Sequence, residues 1–257
     1  MEPEKVPEKL ESPINYKIIL LILAAAISLQ ITLMNLDEDL AGSAAFIVSV
    51  GASLAVSLAS FVIAKRYWSS HVFGKAYLAF ALGYFSYFIA EILYYTFDLI
   101  LGIQAYPSVA DVFFFALYPF TLIHLILNIR FFNPKFAIIP KVWIPLIPIV
   151  FVFVYSYISI GEFEEPNFDF YYGIIFVLAA STTLSFAIFG ATIFKKGVLG
   201  VAWLLLLIGI FMNAIGDVWY YHLEIFGEYY DAHPVTVLWY VANIIMIYAL
   251  YKHIETI

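Results

Sequence analysis

Apolar segments follow one another along almost the whole chain. By inspection there are eight, each of roughly 20 residues, at 17–36, 43–64, 76–101, 109–130, 141–160, 170–194, 199–223 and 234–252. A helix rises about 1.5 Å per residue, so each segment can cross a hydrocarbon core of about 30 Å. The segments are continuously apolar rather than alternating, which argues against a transmembrane β-barrel. We therefore predict an all-α polytopic membrane protein with eight transmembrane helices.

The composition supports this fold class and limits the functions that the chain can carry. Hydrophobic residues make up 64% of the 257 residues and charged residues 12%, whereas a soluble domain has about a quarter charged residues. The helical bundle needs nearly all of the chain, which leaves no separate soluble catalytic or nucleic-acid-binding domain. The chain has no cysteine, which excludes disulfides, thiolate catalysis and iron–sulfur clusters. We expect the lipid bilayer as a partner and no nucleic acid, and no motif requires a cofactor.

The charged residues indicate the orientation of the segments. Every basic residue lies near the N-terminus, in an even-numbered link or at the C-terminus: Lys5, Lys9, Lys17, Lys65, Arg66, Lys75, Arg130, Lys135, Lys141, Lys195, Lys196 and Lys252. Clusters of acidic residues occupy odd-numbered links: Asp37, Glu38, Asp39, Glu162, Glu164, Glu165, Asp169, Glu228 and Asp231. Because basic links stay in the cytoplasm, we predict a multi-pass protein of the cell membrane with both termini cytoplasmic.

The two halves of the chain repeat one pattern, which starts at Glu91 in the third segment and at Asp217 in the seventh. Each of these acids follows a glycine by eight positions, Gly83 or Gly209. The residues that follow at equal or nearly equal spacing are Tyr94, Tyr95, Asp98 and Pro107 in the first half and Tyr220, Tyr221, Glu224 and Pro234 in the second. We predict a polar cytoplasmic tail at 1–16 and two tandem four-helix repeats, at 17–130 and 131–257, with the same orientation.

The acidic residues within the segments predict a polar pocket. At 100° per residue, Glu91 shares a helix face with Tyr95 and Asp98, and Asp217 repeats this arrangement with its own neighbours. A carboxylate inside a membrane costs a few kcal/mol and normally faces the bundle interior or a water-filled cavity. We predict an outward-open pocket between segments three, four, seven and eight. Its candidate ligand-binding residues are Glu91, Tyr95, Asp98, Asp111, Asn213, Asp217, Tyr221 and Glu224.

Other interpretations of the same residues stay open. Glu91 and Asp217 can also be protonated groups that hydrogen-bond tyrosines and hold helices together. The acids nearer the outer surface can be solvated helix ends, and Asp111 suits the first turn of a helix. A metal site that includes His222 and His233 with nearby carboxylates is a further hypothesis, although the chain has no HExxH motif.

A short motif gives a resemblance to a known family. The segment YPSVADVFFFALYPF, at Tyr106–Phe120, resembles the multi-span sensor domain found ahead of bacterial diguanylate cyclases and histidine kinases. The matching positions are Pro107, Ser108, Ala110, Asp111, Tyr118 and Pro119, and in the second half Asp217, Tyr220, Tyr229 and Trp239. The resemblance implies a ligand-binding sensor. The chain carries no cyclase or kinase domain, so we expect signalling through a separate membrane or cytoplasmic partner.

A second resemblance is to the eight-span lysoplasmalogenase family. The corresponding residues here are Ala90-Glu91, Gly216-Asp217 and His124. It implies hydrolysis of a vinyl-ether lipid, with Glu91 and Asp217 as catalytic acid and base. The sequence therefore favours a sensor or receptor-like protein that binds a small or lipid-derived ligand or an ion. A membrane hydrolase of ether lipids and a structural subunit of a membrane complex are the alternatives.

Overall fold

The computed structural model describes residues 14–70, 72–132, 138–160, 166–195 and 199–256, and all regular structure within these ranges is helical. The helices are α1 (Tyr16–Leu33), α2 (Glu38–Arg66), α3 (Phe73–Tyr95), α4 (Val109–Phe132), α5 (Ile138–Ile160), α6 (Phe168–Phe194), α7 (Gly200–Phe226) and α8 (Thr236–Thr256). All eight contain a segment long and apolar enough to cross a membrane, which confirms the predicted fold class. Residues 1–13 of the predicted tail, which include Lys5 and Lys9, lie outside the described residues. The same holds for five charged residues of the links: Lys135, Glu162, Glu164, Glu165 and Lys196.

Six of the helices form a closed ring. Helix α3 packs between α2 and α4, α7 packs between α6 and α8, and the contacts of α4 with α6 and of α2 with α8 close the ring. Helix α1 packs mainly on α8, and α5 mainly on α6. The apolar windows of α3 and α8 are each 61% buried, whereas those of α1 and α5 are only 22% and 17% buried. The two outer helices therefore present most of their apolar residues to lipid.

Glycines bring the central helices close together. A Cβ atom at Gly83 would lie 3.0 Å from Cβ of Phe120 on α4, and one at Gly209 would lie 2.7 Å from Cε of Met246 on α8. Small residues at helix contacts are the usual means of close packing in membranes, where burial of apolar surface gives no drive for helices to associate. The two glycines thus set the approach of α3 to α4 and of α7 to α8.

The two ends of the bundle differ in charge. At the acidic end, the α1–α2 link, the segment after α3 and the α7–α8 link meet around one open cavity. At the basic end, ring contacts join the α2–α3 link, α4, α6 and the end of α8, through Tyr67 with His253 and Phe132 with Phe194. The described basic side chains other than Lys17 lie at or near the ends of elements on this side: Lys65, Arg66, Lys75, Arg130, Lys195 and Lys252.

Helix α3 does not continue to residue 101 as one regular α-helix. It ends at Tyr95 and passes into a π-helical turn at Thr96–Ile100, in which the amide of Leu101 donates to the carbonyl of Thr96 at 3.0 Å. A π turn is wider than an α turn, so it breaks the angular spacing on which the predicted helix face depended. The change falls between Glu91 and Asp98.

Candidate functional site

An inner cavity of about 60 Å³ lies between α2, α3, α4, α7 and α8, close to the acidic end. Three carboxylic residues line it, Glu91, Asp111 and Asp217. Its aromatic lining is Tyr87, Tyr94, Tyr95, Phe114, Tyr118, Tyr220, Tyr221, Tyr229 and Trp239, and Ser49, Leu117 and Thr236 complete it. This volume holds roughly four water molecules. The described lining contains no Lys, Arg or His.

Asp217 is the more completely hydrogen-bonded of the two central carboxyl groups. Its Oδ2 accepts from the Tyr118 hydroxyl at 2.9 Å and from Asn213 Nδ2 at 3.0 Å. Its Oδ1 accepts from Trp239 Nε1 at 3.1 Å. These donors come from α4, α7 and α8, so the carboxyl group joins three helices. An ionised carboxylate only accepts hydrogen bonds, and three converging donors suit that form.

Trp239 reaches Asp217 because residue 216 has no side chain. A Cβ atom at Gly216 would lie 2.7 Å from Nε1 of Trp239, the same nitrogen that donates to the carboxylate. The glycine before the acid therefore makes room for the indole ring against α7. This gives the Gly216–Asp217 pair a physical role in building the site.

Glu91 is as deeply buried as Asp217 but has fewer partners. Its side chain is 7% exposed and lines the inner cavity. Tyr87, one turn earlier on α3, is the only side chain within the described residues that is placed to donate to it. A carboxylate has about four lone-pair sites, so Glu91 keeps acceptor capacity that faces the cavity.

Asp111 has a structural role as well as a position in the cavity lining. Its Oδ2 accepts from the backbone amide of Ser108 at 2.6 Å, and the Ser108 hydroxyl accepts from the amide of Ala110 at 3.1 Å. This arrangement is a capping box at the start of α4. The Pro-Ser-x-Ala-Asp part of the motif therefore starts a helix, and Tyr118 further along that helix donates to Asp217.

A larger and open cavity, here called the outer vestibule, lies at the acidic end and has a volume of about 580 Å³. Its acidic lining residues are Glu38, Asp39, Asp98 and Asp231. Tyr94 and Tyr229 line both this vestibule and the inner cavity, so the two spaces share these side chains as a boundary. Burial raises the pKa of Asp231 to about 7, and the nearby carboxylates of Asp98 and Glu38 add to the shift.

The predicted site residues thus divide into groups. Glu91, Tyr95, Asp111, Asp217 and Tyr221 line the inner cavity, Asn213 supports Asp217 from the same helix, and Asp98 lines the outer vestibule. Glu224 lines neither cavity and lies beside Tyr220.

The two histidines of the metal hypothesis have different surroundings. His222 Nδ1 lies 3.2 Å from the Ser159 hydroxyl of α5. His233, in the α7–α8 link, accepts from the amide of Val235 at 3.1 Å and packs edge-on against Trp219. Among the described residues, no group of three or more His, Cys, Asp or Glu side chains is arranged to hold a metal ion.

His124 is separate from the carboxyl groups. It is fully buried, its Nδ1 lies 3.0 Å from the carbonyl of Ala76, and its ring packs against Tyr77 and Phe80. It does not line the inner cavity. An arrangement of His124 with Glu91 and Asp217 in one catalytic group is therefore not formed.

Several lining residues were not among the predicted site residues. The α2 residue Ser49, the link residue Tyr229 and the α8 residue Trp239 are examples. Tyr229 and Trp239 belong to the positions that carry the sensor-domain resemblance, so the motif contained a signal for them. Ser49 carried no signal, because a serine in an apolar helix commonly hydrogen-bonds its own helix. In comparisons with known proteins, no family model, no curated protein and no solved structure matches this chain.

Proposed function

We propose that this chain is a receptor-like integral membrane protein that binds a small ligand in the inner cavity, which opens toward the outer face of the membrane. The observation that carries the proposal is Glu91, a carboxyl group 7% exposed that lines a cavity with acceptor capacity left over. Burial of such a group in a membrane protein is costly, and intramembrane carboxylates commonly mark ligand or ion sites. The resemblance to sensor domains points to the same role.

The proposed architecture is two tandem repeats that enclose the cavity. The contacts of α2–α3, α3–α4 and α4–α6 have counterparts in α6–α7, α7–α8 and α8–α2. Phe120 follows Gly83 by the same number of residues as Met246 follows Gly209, and each makes the close contact at its glycine. Under this proposal Glu91 and Asp217 are equivalent residues that have diverged, one toward ligand and one toward support.

The proposed orientation places the acidic end outside the cell and both termini in the cytoplasm. The positive-inside rule supports it, because the described basic side chains in links and helix ends lie opposite the outer vestibule. In this orientation a ligand arrives through the outer vestibule and passes Tyr94 and Tyr229 to reach Glu91.

Native mass spectrometry of the purified protein tests the binding proposal. We expect a co-purifying small-molecule adduct on the wild-type chain, which disappears in Ser49→Met because the longer side chain fills the cavity. Ser43→Met, at an exposed position on the same helix, is the matched control and should keep the adduct. An adduct that is retained equally in all three proteins would overturn the proposal.

One observation keeps the hydrolase alternative: Glu91 and Asp217 line the same cavity. An acid and a base that share one cavity suit protonation of a vinyl ether and activation of water. Release of aldehyde from a lysoplasmalogen by the wild-type protein, and its loss in Glu91→Gln, would favour this activity. The absence of release from pure, folded protein would remove it.

A further inference from the structure

We propose that the ligand of the inner cavity is a small organic cation that carries a primary ammonium group. This inference rests on the proposed binding function and names its ligand class.

The charges along the path favour a cation. Glu91, Asp111 and Asp217 line the inner cavity, and further carboxylates line the outer vestibule. No basic side chain in the described part of the chain lines either space. A cleft lined by one sign of charge raises the local concentration of the opposite ion and speeds its entry. An anionic ligand would meet carboxylates at both levels.

Glu91 provides a specific partner for an ammonium group. The side chain is more than nine-tenths buried and lines the cavity, and only Tyr87 is placed to donate to it among the described residues. A primary ammonium group has three N–H donors and a positive charge, and charge-assisted hydrogen bonds to a carboxylate are the strong ones. Asp217 already accepts three protein donors, so Glu91 is the carboxylate with acceptor capacity for the ligand.

The aromatic lining and the volume define the rest of the ligand. Tyr220 packs edge-to-face against Tyr229 at 4.7 Å and against Trp239 at 5.6 Å between ring centroids, which forms a continuous aromatic wall. Aromatic rings beside carboxylates attract organic cations through the ring quadrupole. The cavity of about 60 Å³ accepts roughly four non-hydrogen atoms, the space of as many waters. A short alkylammonium ion matches these dimensions.

The ammonium group can belong to a free amine or to an ethanolamine lipid headgroup. The phosphate of such a headgroup would lie toward the outer vestibule, beside Asp98 and Asp231 and without a described basic partner. The charges therefore favour the free amine, and the two sources are separate arms of the experiment.

Binding to the purified protein in a neutral maltoside detergent tests the inference by titration calorimetry. The probe is n-propylammonium, its neutral match is 1-propanol, and potassium chloride and lysophosphatidylethanolamine are the other arms. We expect n-propylammonium to bind at least tenfold more tightly than 1-propanol or potassium. Glu91→Gln should weaken this binding at least tenfold, whereas Asp37→Asn, which removes an exposed charge at the same end, should change it less than twofold.

A second pair of variants covers the case in which Glu91→Gln does not fold. Tyr229→Leu removes a ring from the shared wall and should weaken binding at least fivefold, and Tyr171→Leu, at an exposed position on α6, should not.

Binding of lysophosphatidylethanolamine without binding of n-propylammonium would assign the ammonium to a lipid headgroup and uphold the ligand class. Equal affinity for 1-propanol or potassium would overturn it, as would unchanged affinity in both Glu91→Gln and Tyr229→Leu. An adduct that carries no ammonium group and that Ser49→Met removes would overturn this inference alone, whereas an adduct indifferent to Ser49→Met would overturn the binding function itself.

Discussion

The two central carboxyl groups are buried to nearly the same extent yet differ in the number of hydrogen-bond donors around them. Asp217 accepts hydrogen bonds from three side chains on three helices, and Glu91 has one neighbour placed to donate. In a membrane, each satisfied hydrogen bond between helices stabilises the bundle only modestly, by about 0.6–2 kcal/mol. Asp217 therefore contributes mainly to the shape of the cavity, and Glu91 is the carboxyl group that the proposed ligand would contact.

The hydrogen bond from Tyr118 to Asp217 joins α4 to α7. Tyr118→Phe removes one donor from a buried carboxylate without changing the ring, so we expect the free energy of unfolding to fall by about 1 kcal/mol. Thermal unfolding in detergent is the measurement. Tyr171→Phe, on an exposed side chain, is the matched control and should leave the transition unchanged. Equal stability of the two variants would show that the hydrogen bond does not hold α4 to α7.

The ionisation of Asp231 should make the stability of the protein depend on pH. Burial, with the charges of Asp98 and Glu38, raises its pKa from 3.8 to about 7. The native state thus holds this proton more tightly than the unfolded state, and the contribution of Asp231 to stability decreases as the pH rises from about 4 to about 7. The slope is at most about 1.4 kcal/mol per pH unit. Asp231→Asn should flatten the pH dependence of thermal unfolding over this range, and Asp37→Asn should not.

Close contacts between helices decide where the cavity-lining side chains lie. Glycines allow α4 and α8 to approach α3 and α7, and the capping box of Ser108 and Asp111 starts α4 so that Tyr118 reaches Asp217. The apolar segments predicted the existence of the helices well, because each must be long enough to cross the hydrocarbon core. The π turn after Tyr95 was not predictable, since nothing in its sequence marks a change of hydrogen-bonding pattern.

Gly216 tests the packing of the aromatic wall. Gly216→Ala would place a Cβ atom 2.7 Å from Nε1 of Trp239, so the indole must move away from Asp217. We expect a loss of about 1–3 kcal/mol in the free energy of unfolding, together with a shift in tryptophan fluorescence emission. At Gly51, on α2, an added Cβ meets nothing within 4 Å, so Gly51→Ala should be neutral or stabilise by up to about 1 kcal/mol. Similar effects at both glycines would contradict the packing argument.

One buried side chain of α1, Gln30, makes hydrogen bonds to the α7–α8 link and to the first residue of α8. Gln30 Nε2 donates to the carbonyls of Ala232 at 2.7 Å and His233 at 3.2 Å, and its Oε1 accepts from Thr236 at 2.6 Å. Gln30→Leu removes the donor to the buried carbonyl of Ala232, whereas the His233 carbonyl and the Thr236 hydroxyl keep their hydrogen bond to each other. We expect a loss of about 1–3 kcal/mol in thermal unfolding experiments. The control is Asn35→Leu, because Asn35 is exposed just after α1 and its Nδ2 donates to the carbonyl of Ile31 in the last turn of that helix. A loss no larger than that of the control would mean that α1 is held by apolar packing.

At the scale of the whole molecule, charge and polarity divide the bundle along its axis. The acidic end holds the outer vestibule and the inner cavity, and the described basic residues of the links lie at the other end. The sequence alone placed Glu91, Asp111 and Asp217 near one another, because intramembrane carboxylates are expensive and gather where they can be solvated. It could not separate Asp98 from Glu91 or divide the polar space in two. Those features depend on the π turn and on the positions of Tyr94 and Tyr229.

The orientation in the membrane is open to direct labelling because the chain has no cysteine. Asp37→Cys and Ser69→Cys introduce single thiols at exposed positions on the acidic and basic ends. With a membrane-impermeant maleimide on intact cells, we expect Asp37→Cys to be labelled and Ser69→Cys to be labelled only after the cells are permeabilised. The reverse pattern would place the cavity on the cytoplasmic side.

We propose that a hydrated cavity that favours cations reaches Ser49 from the acidic end. The reactivity of Ser49→Cys toward methanethiosulfonates of opposite charge tests this proposal, with Ser53→Cys, one turn deeper and fully buried, as the control. We predict that the aminoethyl reagent modifies Ser49→Cys at least tenfold faster than the sulfonatoethyl reagent, and that neither modifies Ser53→Cys. A Ser49→Cys thiol as unreactive as that of Ser53→Cys, or one without charge preference, would rule out such a cavity.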